Sequence, residues 1–241
     1  MSFIAMVCLV SAIASGLDVR PNLDAARLLT GSFSFRTLVN GAEVGRSRIQ
    51  IRRSAELGNY VFSNLVNGSF SQSWEAVTSP LFAPVSARLS FGQGSAARIA
   101  FELSYHDDRV TGFVIPRKEP SNRREVDEAI ADDTVDQRID WAAVMARKEY
   151  VEGQDFRFHV YDPEAGNSLV TVQIGKSETT EVPAGSFETV RVSYQIDKRG
   201  HTETYEVFIT KKPPRFLVKE KFPNSSVTEL VELTKPTSEM P

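Results

Sequence analysis

Residues 190–209 read VRVSYQIDKRGHTETYEVFI, and this stretch decides the fold. Apolar side chains take every second position on both sides of a turn at residues 198–201. Such alternation is typical of antiparallel strands with one buried face and one solvated face. The stretch therefore predicts a β-hairpin with two apolar sets turned to the same core. These sets are Val190, Val192, Tyr194 and Ile196, then Tyr205, Val207 and Ile209.

The same period-two pattern recurs along most of the chain. Asn40-Gly41 and Asn67-Gly68 lie between such runs, and Asn-Gly suits the two positive φ angles of a type I′ hairpin. We therefore predict a mainly β protein with roughly eleven or twelve strands. Further alternating runs lie at residues 33–35, 49–51, 99–105, 156–160 and 170–174.

One region departs from the strand pattern. Residues 116–125 are polar, charged and bracketed by prolines, which indicates a loop. Beyond them, apolar residues at helical spacing and the capping-box pair Thr134 and Gln137 predict a helix from Thr134 to Lys148. A shorter helical turn is predicted at Arg124–Ile130. We expect one β-rich domain over 15–241, with β segments at 24–116 and 150–234 and a linker with the helix at 117–149.

The excess of one-faced strands over helices constrains the architecture. A flat sheet would leave apolar area exposed, which soluble proteins avoid. We therefore predict a large antiparallel sheet that curls into a half-barrel or open barrel, covered by one or two helices. Such folds often enclose an apolar ligand cavity, and a fully packed interior is the alternative. The candidate cavity residues are Trp74, Phe101, Tyr105, Trp141, Phe158 and Tyr205; for the two tryptophans, plain core packing is the alternative.

The N-terminal stretch has the pattern of an export signal. Residues 2–17 carry no charge, and an apolar run at 3–10 precedes Ala12-Ile13-Ala14. This pattern predicts a signal peptide at 1–14 with cleavage after Ala14. A basic residue after Met1 is missing, and a buried N-terminal helix is the alternative. The apolar run is shorter than the roughly 20 residues of a membrane-spanning helix. We expect a periplasmic or secreted protein without a transmembrane span.

Composition excludes several functional classes. The 241 residues carry a net charge of −3, which gives no support for a nucleic-acid partner. The one cysteine, Cys8, lies inside the predicted signal and excludes a disulfide framework. A chain cleaved after Ala14 would have no thiol to act as a nucleophile.

Motifs that would carry catalysis are missing from the sequence. His106, His159 and His201 lack the H-E-x-x-H spacing and are interpreted as surface residues. An acidic run has no central glycine for a calcium loop, so we interpret it as the solvated start of the helix. We name no catalytic residue, no metal ligand and no cofactor, although such groups could still converge in the folded chain. The acidic run comprises Asp127, Glu128, Asp132, Asp133, Asp136 and Asp140.

The C-terminal half carries a further pattern. It contains Val182-Pro183-Ala184-Gly185-Ser186-Phe187-Glu188-Thr189-Val190, then an alternating strand at 204–209 and the pair Pro214-Arg215 before a last strand. These features resemble the bacterial exported-protein family catalogued as domain of unknown function 3108. The resemblance covers about residues 133–233, and Phe208 stands where the family usually has a Trp-bearing element.

The resemblance implies a signal-bearing envelope protein with a half-barrel similar to bacterial lipoprotein carriers, and it implies no catalytic residues. The motif itself is interpreted as structural. We expect Pro183 and Gly185 to set a turn and Phe187 to enter the core.

Three functions remain open at this point. The favoured one is a non-enzymatic binding or carrier protein for a lipid or another hydrophobic or amphipathic ligand. The second is an envelope scaffold or assembly factor that contacts a protein partner through an exposed edge or patch. The third is a hydrolase. A large apolar cavity would favour the first function, and a filled interior would oppose it. An apolar surface patch would favour the second, and convergent carboxyl groups with raised pKa would favour the third.

Overall fold

The structure of the protein is a computed structural model, which describes residues 22–68, 71–92, 94–198 and 200–235. The predicted signal at 1–14 lies outside the described residues. One α-helix, α1, covers Asp140–Met145, and short 3-10 turns lie at Ala25–Arg27, Gly94–Ala96 and Gln137–Ile139. The fifteen strands are β1 (Gly31–Val39), β2 (Ala42–Arg53), β3 (Tyr60–Gly68), β4 (Gln72–Thr78), β5 (Pro84–Phe91), β6 (Arg98–Tyr105), β7 (Arg109–Val114), β8 (Arg124–Ala129), β9 (Val135–Asp136), β10 (Asp155–Asp162), β11 (Gly166–Val182), β12 (Gly185–Lys198), β13 (His201–Thr210), β14 (Leu217–Lys221) and β15 (Ser226–Thr234).

All fifteen strands belong to one sheet. Its order is β8-β7-β6-β5-β4-β3-β2-β1-β15-β14-β13-β12-β11-β10-β9. Neighbouring strands are antiparallel except for β9, which pairs in parallel with β10. The first and last strands therefore meet in the middle of the sheet, and both of its edges come from the middle of the chain.

The hairpin predicted from residues 190–209 is confirmed. Strands β12 and β13 pair with Val192 opposite Val207 and with Tyr194 opposite Tyr205. The apolar set on β12 is at most 3% exposed, while Gln195 between its members faces solvent. The sequence alternation thus reports directly which face of the sheet is buried.

The predicted hairpin turn is confirmed at one of the two Asn-Gly pairs and is wrong at the other. Asn40 and Gly41 have φ angles of +50° and +82° and join β1 to β2, as predicted. Asn67 and Gly68 are instead the last residues of β3 and lie opposite residues 45–46 of β2. A Cβ on Gly68 would lie 2.9 Å from a β2 carbonyl oxygen. This glycine therefore allows two strands to approach closely, and the prediction of a turn there is wrong.

The sheet curls around α1, so the predicted fold class is confirmed. All six residues of α1 are buried. Trp141 of α1 meets Phe62 of β3 edge-on, with ring centroids 6.3 Å apart. Across the interior, the Tyr105 hydroxyl of β6 donates to Asp136 Oδ2 of β9 at 2.6 Å. The inner face of the sheet thus surrounds a single core.

The space between α1 and the middle of the sheet is filled. Side chains of β1, β2, β14 and α1 leave a void of about 10 Å³ there. A void of this size holds at most about one water molecule and no lipid chain. The expected apolar cavity beneath the helix is therefore not found, and the candidate ligand site must be sought elsewhere.

The helix predicted at Thr134–Lys148 is wrong in its length. Residues 135–136 form β9, residues 137–139 form a 3-10 turn, and α1 follows with six residues. The cap of the 3-10 turn is Asp136, whose carboxylate accepts the backbone N–H of Arg138 at 2.9 Å. Pairing of β9 with β10 keeps the start of the segment extended, and this tertiary contact overrides the helical periodicity.

The second predicted helical turn, Arg124–Ile130, is also wrong. Residues Arg124–Ala129 form the edge strand β8, which pairs with β7 over its whole length. Val126 is buried there, and the charged residues on either side of it face solvent. Charged side chains are common on edge strands because they discourage pairing with other chains.

Candidate functional site

A cleft opens at the rim of the curled sheet, where β12, β13 and β14 meet the start of α1. Its volume is about 640 Å³, and we call it the rim cleft. Ligand sites are typically concavities of about this size that combine apolar walls with a few polar groups. The rim cleft is lined by Gln137, Asp140, Trp141, Ile196, Thr202, Glu203, Thr204, Tyr205, Glu220, Phe222, Pro223 and Asn224.

Asp140 is the most deeply buried carboxyl group of the rim cleft. It is the first residue of α1 and is 4% exposed. Its Oδ1 accepts the backbone N–H of Trp141 at 2.6 Å, and its Oδ2 accepts the hydroxyl of Tyr205 at 2.6 Å. Burial raises the pKa of Asp140 to about 6, although both hydrogen bonds oppose the rise. This carboxyl group therefore exchanges its proton near physiological pH.

Glu220 on β14 is the second carboxyl group in this cleft. It is half-buried, and burial together with the negative charge of Asp140 raises its pKa to about 7. Two like charges in a partly desolvated cleft resist simultaneous ionisation. Ionised Asp140 therefore disfavours the ionisation of Glu220.

Aromatic rings form one wall of the cleft. Tyr205 stacks on Tyr194 with a centroid distance of 4.6 Å and on Phe222 with a distance of 5.6 Å. Burial and the charge of Asp140 raise the pKa of Tyr205, so its hydroxyl remains a hydrogen-bond donor. The buried hydroxyl of Tyr194 has no hydrogen-bond partner among the described residues. Burial, and then the charges of Asp140 and other neighbours, raise the pKa of Tyr194 as well.

Lys198 lies beside the cleft and forms its salt bridge with Glu203 rather than with Asp140 or Glu220. Lys198 Nζ lies 2.6 Å from Glu203 Oε2, and His201 Nε2 lies 3.2 Å from Glu203 Oε1. Neither Asp140 nor Glu220 forms a salt bridge with another described residue. The charge of the rim cleft is therefore negative and only partly compensated.

A second groove of about 660 Å³ adjoins the rim cleft and shares Tyr205 and Phe222 with it. Much of its lining consists of polar strand residues such as Gln173 and Gln195, which are exposed. The rim cleft is the better candidate site because a buried carboxyl group, rather than the solvated face of strands, lines it.

Comparison with known proteins identifies the family. The family model described as "Protein of unknown function (DUF3108)" matches residues 31–231. The chain belongs to the DUF3108 family. No curated protein matches its sequence.

Three solved structures are similar to this DUF3108 protein. A β-barrel-like protein of domain of unknown function DUF1849 from Brucella abortus has 12% identity and a TM-score of 0.53, covering 86% of this chain and 98% of its own. This likeness supports the fold alone. A Bacteroides fragilis protein described as exported, with a YmcC-like fold, has 12% identity and a TM-score of 0.40, covering 89% and 100%. A Parabacteroides distasonis protein described as a lipoprotein has 13% identity and a TM-score of 0.36, covering 88% and 99%.

The DUF3108 fold brings two of the six predicted cavity residues together. Trp141 and Tyr205 both line the rim cleft. Trp141 is 7% exposed, and its indole N–H donates to the carbonyl oxygen of Arg138 at 3.0 Å. This bond fixes the indole at the base of the cleft.

The other four predicted residues do not line the rim cleft. Trp74, Phe101, Tyr105 and Phe158 are each at most 8% exposed and belong to the core. Phe101 lies beneath the guanidinium of Arg138 at 4.5 Å, and Phe158 stacks on a neighbouring phenylalanine at 6.0 Å. A role for these four in ligand binding stays a prediction.

A buried ionic cluster supports the base of the cleft. Arg138 Nη2 lies 2.6 Å from Asp136 Oδ2, and its Nη1 lies 3.0 Å from Asp162 Oδ2. Asp136 is 1% exposed and also accepts the hydroxyl of Tyr105. Buried charges with complete partners hold a defined geometry. The cluster ties β9 to β6 and β10 and so positions the segment that carries Asp140.

The prediction of a solvated acidic run is wrong for Asp136 and Asp140. Asp136 is the last residue of β9 and Asp140 the first of α1, so no single periodicity in the sequence places both of them against the core. Glu220 lies between two lysines, and nothing in that local sequence distinguishes it from a surface residue.

The histidines form no site of their own. His106 and His201 are exposed, and half-buried His159 places Nδ1 2.7 Å from Asp133 Oδ1. Within the part of the chain that the structure describes, no group of three or more His, Cys, Asp or Glu residues is placed to hold a metal ion. No helix in that part is long and apolar enough to cross a membrane.

The Pro-Ala-Gly motif forms the hairpin between β11 and β12. Val182 pairs with Gly185, so Pro183 and Ala184 make the turn. Gly185 has a φ of +130°, which favours glycine. Phe187 is half-buried and meets Phe216 edge-on at 5.4 Å. None of the three motif residues lines the rim cleft.

Proposed function

We propose that this DUF3108 protein is an exported cell-envelope protein that binds an amphipathic ligand in the rim cleft without transforming it. The observation that carries the proposal is the composition of the cleft. Trp141, Ile196 and Phe222 offer apolar contact, while Asp140 and Glu220 offer polar anchors. A pocket that combines both kinds of lining suits a ligand that has both kinds of surface.

The cleft sets a limit on how the ligand is held. The void beneath α1 is about 10 Å³, so a chain cannot be enclosed between the helix and the sheet there. A volume of about 640 Å³ at the rim accommodates a head group and a short apolar segment. The ligand is therefore expected to remain accessible from solvent, as suits a carrier that must release it.

Native mass spectrometry of the protein purified from the cell envelope tests this proposal. We expect an added mass that dissociates on activation and is lost in Phe222→Ala. Phe113→Ala is the matched control, because Phe113 is also half-buried but lies on β7 outside the cleft. Equal retention of the added mass in both variants would place the ligand elsewhere, and no added mass in wild type would contradict the proposal.

Export is part of the proposal and rests on the pattern of residues 1–14. Fractionation with N-terminal sequencing tests it. The expected result is an envelope fraction whose first residue is Ser15. Recovery of the protein in the cytoplasmic fraction with Met1 intact would oppose export.

A second candidate function is hydrolysis. The observation in its favour is that Asp140 and Glu220 line one cleft and have raised pKa values, as groups used for acid and base catalysis often do. A panel of chromogenic esters and glycosides tests it. Turnover that disappears in both Asp140→Asn and Glu220→Gln would favour a hydrolase, and turnover unchanged in both would eliminate this site as its centre.

A further inference from the structure

The negative charge of the rim cleft restricts the ligand it can take. Asp140 and Glu220 line it, and Lys198, the cation whose charge acts on Asp140, is bonded to Glu203. An anionic head group would therefore meet uncompensated like charge, which disfavours binding. A neutral group would leave both carboxylates without a counter-charge.

The pKa values of Asp140 and Glu220 are consistent with this shortage of positive charge. Burial raises the pKa of Asp140 and of Glu220, and each would regain its ordinary acidity beside a cation. The buried hydroxyl of Tyr194 also lies in the field of both carboxylates, but Tyr194 lines the adjoining groove and not the rim cleft. The two carboxyl groups of the rim cleft therefore have negative charge that no salt bridge in the described part of the chain neutralises.

The aromatic wall is compatible with the same kind of ligand. Tyr205 and Phe222 stack beside the carboxylates, and Trp141 lies at the base. Aromatic faces attract organic cations, by roughly 0.5–2 kcal/mol according to exposure. The apolar edges of these rings also contact a hydrocarbon segment next to the charged group.

From this arrangement we infer that the rim cleft recognises an amphipathic primary ammonium compound. Its N–H groups donate hydrogen bonds to Asp140 and Glu220, and its apolar portion packs against Phe222 and Trp141. The inference rests on the proposed binding function and adds the charge class of the ligand. A primary ammonium is favoured over a quaternary one because both carboxylates are hydrogen-bond acceptors.

Three probes with the same eight-carbon chain separate the two proposals, namely octylammonium, octyl glucoside and octanoate. Calorimetry at pH 8 is expected to give octylammonium an affinity at least about tenfold above either of the others, which corresponds to roughly 1.4 kcal/mol. Equal affinities for all three probes would overturn the ammonium inference and leave the binding function standing. No binding of any probe would contradict both.

Two variants test whether Asp140 and Glu220 cause the preference for octylammonium. Asp140→Asn and Glu220→Gln are each expected to reduce the ratio of octylammonium to octyl glucoside affinity by about tenfold. Glu102→Gln, on an exposed position of β6, is the matched control and should keep the wild-type ratio. An unchanged ratio in both cleft variants would overturn the inference.

A pH series on the wild-type protein gives a test that needs no variant. Lowering the pH from 8 to 5 protonates Asp140 and Glu220, so octylammonium should bind at least about tenfold more weakly while octyl glucoside changes little. The charges that act on Asp140 are Lys198 and Asp136, and the charge that acts on Glu220 is Asp140. Glu203 also lines the cleft and is bonded to Lys198 and His201, while Tyr194 and Tyr205 stay neutral across the series. Octylammonium affinity that is independent of pH would overturn the inference.

Discussion

Replacing Asp140 by asparagine should remove most of the pH dependence that this residue gives to stability. Asp140 is 4% exposed, and burial raises its pKa to about 6 in the folded protein. In the unfolded chain an aspartate has a pKa of about 3.9. The folded state therefore binds the proton more tightly, and stability falls as the pH rises.

The size of this effect follows from the two pKa values. A difference of about two units, at about 1.36 kcal/mol per unit, amounts to about 3 kcal/mol. The contribution is fully present below pH 4, the unfolded pKa, and is lost as the pH rises through 6. Between pH 4.5 and 7.5 the ionisation of Asp140 should lower the free energy of unfolding of the wild-type protein by about 2 kcal/mol. Asp140→Asn has no charge at this position and should not show that loss.

Urea unfolding at pH 4.5 and at pH 7.5 measures the difference. We expect the free energy of unfolding of the wild type to fall by about 2 kcal/mol more than that of Asp140→Asn. Asp107→Asn, in the exposed turn between β6 and β7, should behave as the wild type. If Asp140→Asn shows the wild-type pH dependence, the reasoning from burial to proton affinity is refuted.

Four further variants test the packing by the same urea assay. Arg138→Met leaves Asp136 buried without its cation and should cost about 3–5 kcal/mol, whereas a loss below about 1 kcal/mol would mean that the ionic cluster is unimportant. Gly112→Ala should lower the free energy of unfolding by about 3 kcal/mol or more, because a Cβ there overlaps a carbonyl oxygen of β6. Gly41→Ala should lower it by about 1 kcal/mol, since only the positive φ of Gly41 opposes the change. Met145→Ala, at a site with no exposure, should cost about 2–5 kcal/mol, and a neutral result would contradict the filled interior.

The strands could be predicted because their signal is local. Each buried face repeats every second residue, so Val192 and Tyr194 mark the inner face whatever strand lies beside them. The helix could not be predicted as well, because α1 lies in the interior and is buried on every side. An amphipathic period describes a helix with one solvated face, and the segment around Ile139 has none.

The rim cleft could be predicted only in part, since it combines distant pieces of the chain. Tyr205 is marked in the sequence by its place in an alternating strand, and Trp141 as one of the two largest apolar side chains. Burial, and then the charge of Asp140, raise the pKa of Glu220, and no local pattern records the proximity of two residues that are 80 positions apart in sequence.

The pairing of β1 with β15 has a consequence for how the chain folds. Arg36 and Glu229, which face each other across that pair, are 193 positions apart in sequence, whereas every other pair of neighbouring strands in the described sheet is consecutive. Closing so long a loop is entropically expensive, and folding slows as contacts become less local. Two meanders, β1–β8 and β10–β15, can therefore form early and independently. Their union through the pairing of β1 with β15 should be the slow step that the cell must protect from aggregation.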